Sequence, residues 1–369
     1  MKITSIETIH LSIPYEAGGA TRMIGSKPIT NLEMLLLRVD TDAGITGWGE
    51  AFGHAVCRTT KTALDTLVAP AFIGRDPTDI AGLMTEMNRN LHIFGRNGSV
   101  VYALSGIDIA LWDIAGKRSS LPLHELFGGR KRTELRAYAS LRRYGDPNVV
   151  AANCAKAVER GYRHIKIHEI DVPQVKAARQ AIGPGVRLML DANCPWSVAE
   201  AIAMAEKFRP YDLYCIEEPV WPPEDHAGLA RVRASGVHTC AGENVAGFHD
   251  FHHMFEALSI DIAQPSVTKI GGITEMRKII ALAEAYGVTF VPHCGYFGPG
   301  YLASLHIAAS LQADTLFERL YLDLEASPFS PWTEAEGGMV MVPQAPGLGC
   351  DPDMQVVERY RTHATTIIQ

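Results

Sequence analysis

Three acidic residues at equal intervals carry the chemistry that this sequence points to. Asp191 ends the apolar run LMLD, Glu217 ends YCIE and Glu243 ends CAGE, with 26 residues from the first to the second and 26 from the second to the third. An interval of that length holds one short strand and one helix. The three acids are therefore expected at the C-terminal ends of successive strands of one parallel barrel, where such barrels build their sites. Three converging carboxylates suit a hard divalent cation such as Mg²⁺ better than zinc. Three unrelated surface acids would be the bland alternative, but each of these follows an apolar run.

Basic groups fall around them. Side chains alternate along a strand, so in HIKIH the residues His164, Lys166 and His168 share one face, while Ile165 and Ile167 pack outward against helices. Lys166 and His168 then point into the barrel near its mouth, and His293, at the end of TFVPH, stands across it. Glu218, next to Glu217, is expected to point away. An acid cluster flanked by bases suits removal of a proton next to a carboxylate. That carbon acid is weak, so positive charge must stabilise the enolate while a placed base takes the proton.

The elements that must position these groups can be read in order. A chain of 369 residues suggests two domains. Residues 3–12, 32–40 and 45–50 alternate as an antiparallel meander, and residues 13–28 between the first two read as a long flap loop. Helical patterns follow at 59–69, 79–90, 99–117 and 122–126. Residues 100–115 form the most apolar long stretch. They contain Asp108 and Asp113 and so read as a buried amphipathic helix, not a membrane span. From Leu135 onward short strands alternate with helices, at 135–139, 164–168, 187–191, 213–217, 239–243, 261–266, 289–293 and 316–318. Seven or eight such units indicate a closed parallel barrel. A doubly wound sheet fits less well, because functional side chains close so many different strands. After Arg319 the chain turns loop-like and is expected to return to the first domain. The expected fold is α/β: a (β/α)7β TIM-type barrel at 126–325, an α+β N-terminal capping domain at 1–125, and a returning segment at 326–369.

Bulk properties narrow the function. Hydrophobic content of 47% with 20% charged residues describes a globular protein able to bury a large core. Net charge is −7 without a long block of one sign, which argues against a nucleic-acid partner. Seven scattered cysteines without a C-x-x-C pair read as reduced thiols of a cytoplasmic protein, and Cys194 and Cys294 have no nucleophile signature. The stretch MKITSIETIH lacks the apolar core of a signal peptide. Gly271-Gly272 before a helix could cradle an anion, but no P-loop occurs and no G-x-G-x-x-G follows a strand.

Taken together, GWGE at 47–50, ALSGIDIALWDIAGK at 103–117, the LFGG turn at 126–129 and the barrel motifs resemble the enolase superfamily, and within it the mandelate racemase subgroup. The resemblance covers nearly the whole chain. It implies Mg²⁺ held by Asp191, Glu217 and Glu243, and a Lys or His base acting on an enediolate. It implies that Lys166-Ile167-His168 stands at the family's K-x-K, with His168 in place of the second lysine. His293 matches the strand-seven base, and Glu318 in FERL the strand-eight acid. Asn193 matches an Asn beside the metal, and Ser140 matches a carboxylate-binding Ser. Ser266 stands where racemase-like relatives carry the Asp that orients the His, and Lys269 in the following turn is expected to be structural or at the rim. Loops of the capping domain, with Arg22, Lys27, His54 and Arg58, would select a small-molecule carboxylate substrate. The reaction implied is dehydration of a sugar acid. Racemisation or epimerisation, and lactone cycloisomerisation, share its enolate step, and a non-catalytic carboxylate-binding protein is a further class. A homo-oligomer is also implied.

Overall fold

The computed structural model describes residues 1–19, 22–24, 27–129, 132–362 and 365–369, and the side chains of Arg22, Ile24 and Lys27 lie outside that description. The chain opens with strands β1 (Ile3–Glu16), β2 (Arg22–Ile24), β3 (Lys27–Ile29), β4 (Asn31–Thr41) and β5 (Thr46–Ala51). β1 pairs antiparallel with β4 and β4 with β5, while β2 and β3 form a separate hairpin. The expected flap is thus largely strand. Alternation continues past Ser12, and the Tyr15 amide donates to the Thr30 carbonyl at 3.1 Å.

Helices α1 (Cys57–Ala63), α2 (Ile80–Asn90), α3 (Ser99–Ser119) and α4 (Leu123–Leu126) follow. α1 is shorter than its pattern, because the chain widens into a π-turn over residues 64–68 and then tightens into a 3-10 turn over residues 69–72. α2 starts where Asp79 accepts from the Gly82 amide. α3 is the one described helix long and apolar enough to cross a membrane, yet 78% of its apolar window is buried inside the protein. It is covered nearly all round and is not amphipathic as expected. Two glycines of GWGE explain how close it lies: a Cβ on Gly47 would meet the Ala110 carbonyl oxygen at 2.3 Å, and one on Gly49 that of Gly106 at 2.0 Å. Any larger residue at either position would push α3 off the sheet.

The second half alternates β6 (Glu134–Ser140), α5 (Pro147–Glu159), β7 (His164–Ile167), α6 (Val172–Ile182), β8 (Arg187–Asp191), α7 (Val198–Phe208), β9 (Leu213–Glu217), α8 (His226–Ala234), β10 (Thr239–Ala241), α9 (Gly247–Glu256), β11 (Ile262–Ala263), α10 (Gly272–Ala285), β12 (Thr289–Phe290), α11 (Pro299–Ser310) and β13 (Phe317–Leu320). Neighbours pair in parallel from β6 to β12, and β13 pairs with β6. This is the (β/α)7β TIM-type barrel. β10, β11 and β12 are shorter than their apolar runs, since each chain leaves the ladder as it approaches the mouth. Local signals set the helix starts. Ser197 and Glu200 form a reciprocal capping box at α7, and Asp146 with Pro147 opens α5.

Two packing layers result. Tyr138, Met189, Cys215, Cys240, Ile262 and Val291 fill the barrel interior. Ile165, Ile167, Leu188, Leu190 and Ile216 face outward into the larger core beneath the helices. After β13 the segment is more ordered than its loop-like sequence suggested: β14 (Asp323–Leu324), β15 (Ala335–Glu336), β16 (Met339–Met341), α12 (Met354–Tyr360) and β17 (Thr366–Ile368). β14 and β17 both pair with β1, and β16 pairs with β6.

Candidate active site

At the C-terminal mouth of the barrel, Lys166 is the centre of an ion cluster. Its Nζ lies 2.8 Å from Glu217 Oε2, 2.8 Å from Glu318 Oε1 and 3.6 Å from Asp191 Oδ2, with the lysine 1% exposed. Burial alone would lower the ammonium, but the carboxylates of Glu217 and Glu318 outweigh it and hold Lys166 well above its ordinary value. It is a fixed positive charge and not a free base. Glu318 Oε2 accepts from the Cys294 amide at 2.8 Å, and the Lys166 charge holds this carboxyl down at about 2 against its own burial.

The two imidazoles occupy separate flanks. His168 Nε2 lies 3.2 Å from Asp191 Oδ2, and His293 Nε2 lies 2.7 Å from Glu243 Oε2. His168 Nδ1 faces the Leu141 carbonyl, which can only accept. Nδ1 therefore carries a hydrogen, which fixes the ring's orientation and leaves Nε2 as the nitrogen that can exchange a proton. His293 is held differently. Ser266 stands beside it on the neighbouring strand end, but its hydroxyl pairs with Tyr296 at 3.2 Å, and among the described residues His293 Nδ1 is buried with no hydrogen-bond partner. Among the described residues no carboxylate reaches His293 Nδ1 in place of that Asp.

The acids fit a divalent cation. Glu217 Oε1 is buried without a hydrogen-bond partner, while Oε2 is shared by Lys166 and by Gln264 Nε2 at 2.9 Å. Burial, followed by the charge of Asp191, pushes the Glu217 carboxyl up to about 7. Crowded carboxylates with an idle buried oxygen are what positive charge would relieve. Asn193 braces Asp191 with its backbone amide at 3.0 Å and its Nδ2 at 2.8 Å. Asn244 Nδ2 does the same for Glu243 at 3.1 Å. Among the described residues, the tighter potential metal group is His252, His253 and Glu256 on exposed α9, away from this cluster.

A cavity of about 700 Å³ covers the cluster, lined by Met23, Phe52, His54, Arg142, Arg143, His168, Asn193, Glu243, Lys269, His293, Gly295 and Leu320. The fold thus brings His54 to the same space as both imidazoles. Ser140 is not among the lining residues; its hydroxyl is buried with no hydrogen-bond partner. Arg58 is exposed on α1 and also absent from the lining. Arg22 and Lys27 lie in the β2–β3 hairpin, and their side chains fall outside the described residues. Glu218 turns away as alternation requires, into a small buried space with Cys194, where Asn244 Nδ2 reaches it at 2.8 Å. Lys269, expected at the rim, lines the cavity and donates to Asn244 Oδ1 at 3.0 Å. Sequence reasoning missed Arg142 and Arg143. Their signal was present: two adjacent cations directly after β6. Arg143 donates to the carbonyls of His168 and Ala192, clamping the ends of β7 and β8.

Comparison with known proteins places this geometry. Residues 149–356 match the family model described as enolase C-terminal domain-like, and residues 23–128 match the N-terminal domain of mandelate racemase / muconate lactonizing enzyme. The D-galactarolactone cycloisomerase of Agrobacterium fabrum is 33% identical, over 98% of this chain and 99% of that protein. The D-galactonate dehydratase of Ralstonia pickettii is 33% identical over 89% and 91%. The crystal structure of the 3,6-anhydro-D-galactonate cycloisomerase from Zobellia galactanivorans superposes with a TM-score of 0.85 at 31% identity, covering 98% of this chain and all of the other. The chain belongs to the mandelate racemase / muconate lactonizing enzyme family of the enolase superfamily, whose members are in general Mg²⁺-dependent, and it is a lyase or an isomerase.

Proposed function

We propose that, within this family, the chain is a Mg²⁺-dependent sugar-acid dehydratase that removes the proton α to a carboxylate and expels the neighbouring hydroxyl. One observation carries this reading: two imidazoles stand on separate flanks of one acid cluster, His168 against Asp191 and His293 against Glu243. Elimination needs one group to take a proton and another to give one.

Asp191, Glu217 and Glu243 would hold the cation. When bound, it supplies the positive charge that makes the α-proton acidic enough to remove. His168 Nε2 takes that proton, its ring oriented by the Leu141 carbonyl on Nδ1. Lys166, held cationic by Glu217 and Glu318, stabilises the negative charge that develops on the substrate carboxylate. His293 donates the proton on which the hydroxyl leaves as water, and the resulting enol rearranges to a 2-keto-3-deoxy acid. The lining of cationic and imidazole groups suits a polar, anionic substrate.

Lactone cycloisomerisation is the second reading. It is favoured by relatives named cycloisomerases that match at 33% and 34% identity over 98% and 89% of this chain. Proton NMR in D₂O on a panel of sugar acids and lactones with Mg²⁺ separates the two. A 2-keto-3-deoxy product from an open-chain acid establishes dehydration. Lactone rearrangement without loss of water rejects it in favour of the isomerase. His168→Ala should abolish α-deuteration with cation binding intact, and unchanged turnover would remove His168 from its role.

A further inference from the structure

We infer that Glu50, the acid of GWGE in the N-terminal sheet, is a positioning residue for His293. It fixes the loop that carries that ring.

Glu50 is 3% exposed, and its Oε2 accepts from the Gly300 amide at 2.9 Å, at the first turn of α11. Two glycines leave room for this oxygen, though a Cβ on Gly300 would also meet Thr268 at 2.4 Å and one on Gly298 would also meet Met34 at 3.0 Å. A Cβ on Gly298 would come within 2.7 Å of Oε2, and one on Gly300 within 3.1 Å. Gly298 has φ −119°, so glycine is needed there for space and not for a left-handed backbone. Residues 293–300 are held at both ends: the His293 amide donates to the Pro265 carbonyl at 3.1 Å and the Cys294 amide to Glu318 Oε2 at 2.8 Å, and two further contacts fix the rest of the loop. Near the ring, Tyr296 OH donates to the His293 carbonyl at 2.9 Å; at the far end, Glu50 holds Gly300.

The Gly300 anchor matters because it ties the far end of this loop to the N-terminal sheet, while the ring itself has few restraints of its own. Nε2 reaches Glu243, but among the described residues Nδ1 has no hydrogen-bond partner, since Ser266 offers no carboxylate. A ring without that restraint takes its placement from its backbone. Small displacements of a reacting group cost rate steeply. Glu50 reaches the barrel from the same strand end that sends Phe52 and His54 into the cavity, so one residue registers the cavity roof against its His293 wall. Burial pushes this carboxyl up to about 8 even though the Gly300 and Gly298 amides lower it, so the contact is held against a desolvation cost. No described ion pair of Glu50 accounts for its burial.

This inference rests on the reading of His168 as base and His293 as acid. The test compares wild type, Glu50→Gln, Glu50→Ala, Gly298→Ala and His293→Asn, all Mg²⁺-loaded, folding being verified by circular dichroism and melting. On D-galactonate and D-galactarolactone in D₂O, two rates are followed: α-deuteration, which needs His168, and product formation, which needs His293. Glu50→Ala and Gly298→Ala should slow product formation about tenfold or more, the scale of a misplaced catalytic group, and leave deuteration within about twofold. Glu50→Gln, whose carboxamide oxygen can still accept from Gly300, should fall between them and wild type. Ring signals of His293 in the ¹H–¹⁵N spectrum should move in the same variants while those of His168 stay, which needs no substrate. The inference is overturned if both rates fall together, or if neither rate nor ring signal moves. If His293→Asn itself fails to separate the two rates, the assignment of His293 fails first, and the role of Glu50 with it.

Discussion

The molecule buries acids in two regions and treats them in opposite ways. At the seam between the N-terminal sheet and the barrel stand Asp108, Asp113 and Glu50; at the mouth stand Asp191, Glu217 and Glu318, and all six are at most 3% exposed. Seam acids are answered mainly by backbone amides. Asp113 accepts from Trp48 and Leu348, both at 2.8 Å, with Lys117 Nζ also at 2.8 Å. Asp108 takes the Thr274 amide at 3.0 Å together with its hydroxyl, and Glu50 takes Gly300. Each carboxylate there stitches α3 or β5 to a distant part of the chain. Mouth acids instead crowd around a single ammonium, and Glu217 keeps an oxygen unsatisfied. A saturated acid serves structure, and an unsaturated one is available for a ligand.

The contrast can be broken most severely at His168. Replacement by Ala should lower turnover on the order of 10³-fold, within the range of lost general-base catalysis, and barely move the melting temperature. A similar change at Asp113, the seam acid farthest from any catalytic role, should do the reverse. Asp113→Ala is expected to cost about 3 kcal/mol in denaturant unfolding, because Lys117 and two amides lose a buried partner, while the folded fraction keeps its turnover. If Asp113→Ala lost chemistry in proportion to His168→Ala, the division between the regions would be wrong.

Metal sharpens the division. Adding Mg²⁺ at about 100 times its dissociation constant to chelator-stripped protein should stabilise it by about 2.7 kcal/mol. Glu217→Gln should erase that gain in a thermal melt, and Asp113→Asn should retain it.

One more effect belongs to the seam and shows in its pH dependence. His306 stacks on His124, its Nε2 faces the Leu348 carbonyl at 3.1 Å, and burial lowers it to about 3. A histidine whose folded value is depressed stabilises fully above its unfolded value near 6.5, and that stability is lost as pH falls from there toward 3. One such proton accounts for at most about 1.4 kcal/mol per pH unit. His306→Gln should flatten this part of the acid limb in urea titrations. An unchanged slope would assign it to other groups.

Legibility followed range. That Asp191, Glu217 and Glu243 close or follow successive strands was readable, because a period of 26 residues and an apolar run before each acid lie in the sequence itself. The faces of β7 were readable for the same reason: alternation alone turns Lys166 inward and Ile165 outward. The hairpin of β2 and β3, the full burial of α3 and the place of Lys269 in the cavity were not readable, since each depends on what packs opposite.

By itself, then, the sequence determined a repeating β/α rhythm, which acids close its strands, and the glycines that let α3 lie against β5. Only the tertiary structure decided that Lys166 is caught among three carboxylates, that Arg143 clamps the ends of β7 and β8, and that Glu50 reaches α11 across 250 residues of chain. The physical reason is distance. Strand and helix patterns arise from neighbours in the chain, whereas an ion's partners and a loop's anchor come from elements that meet only when the core closes.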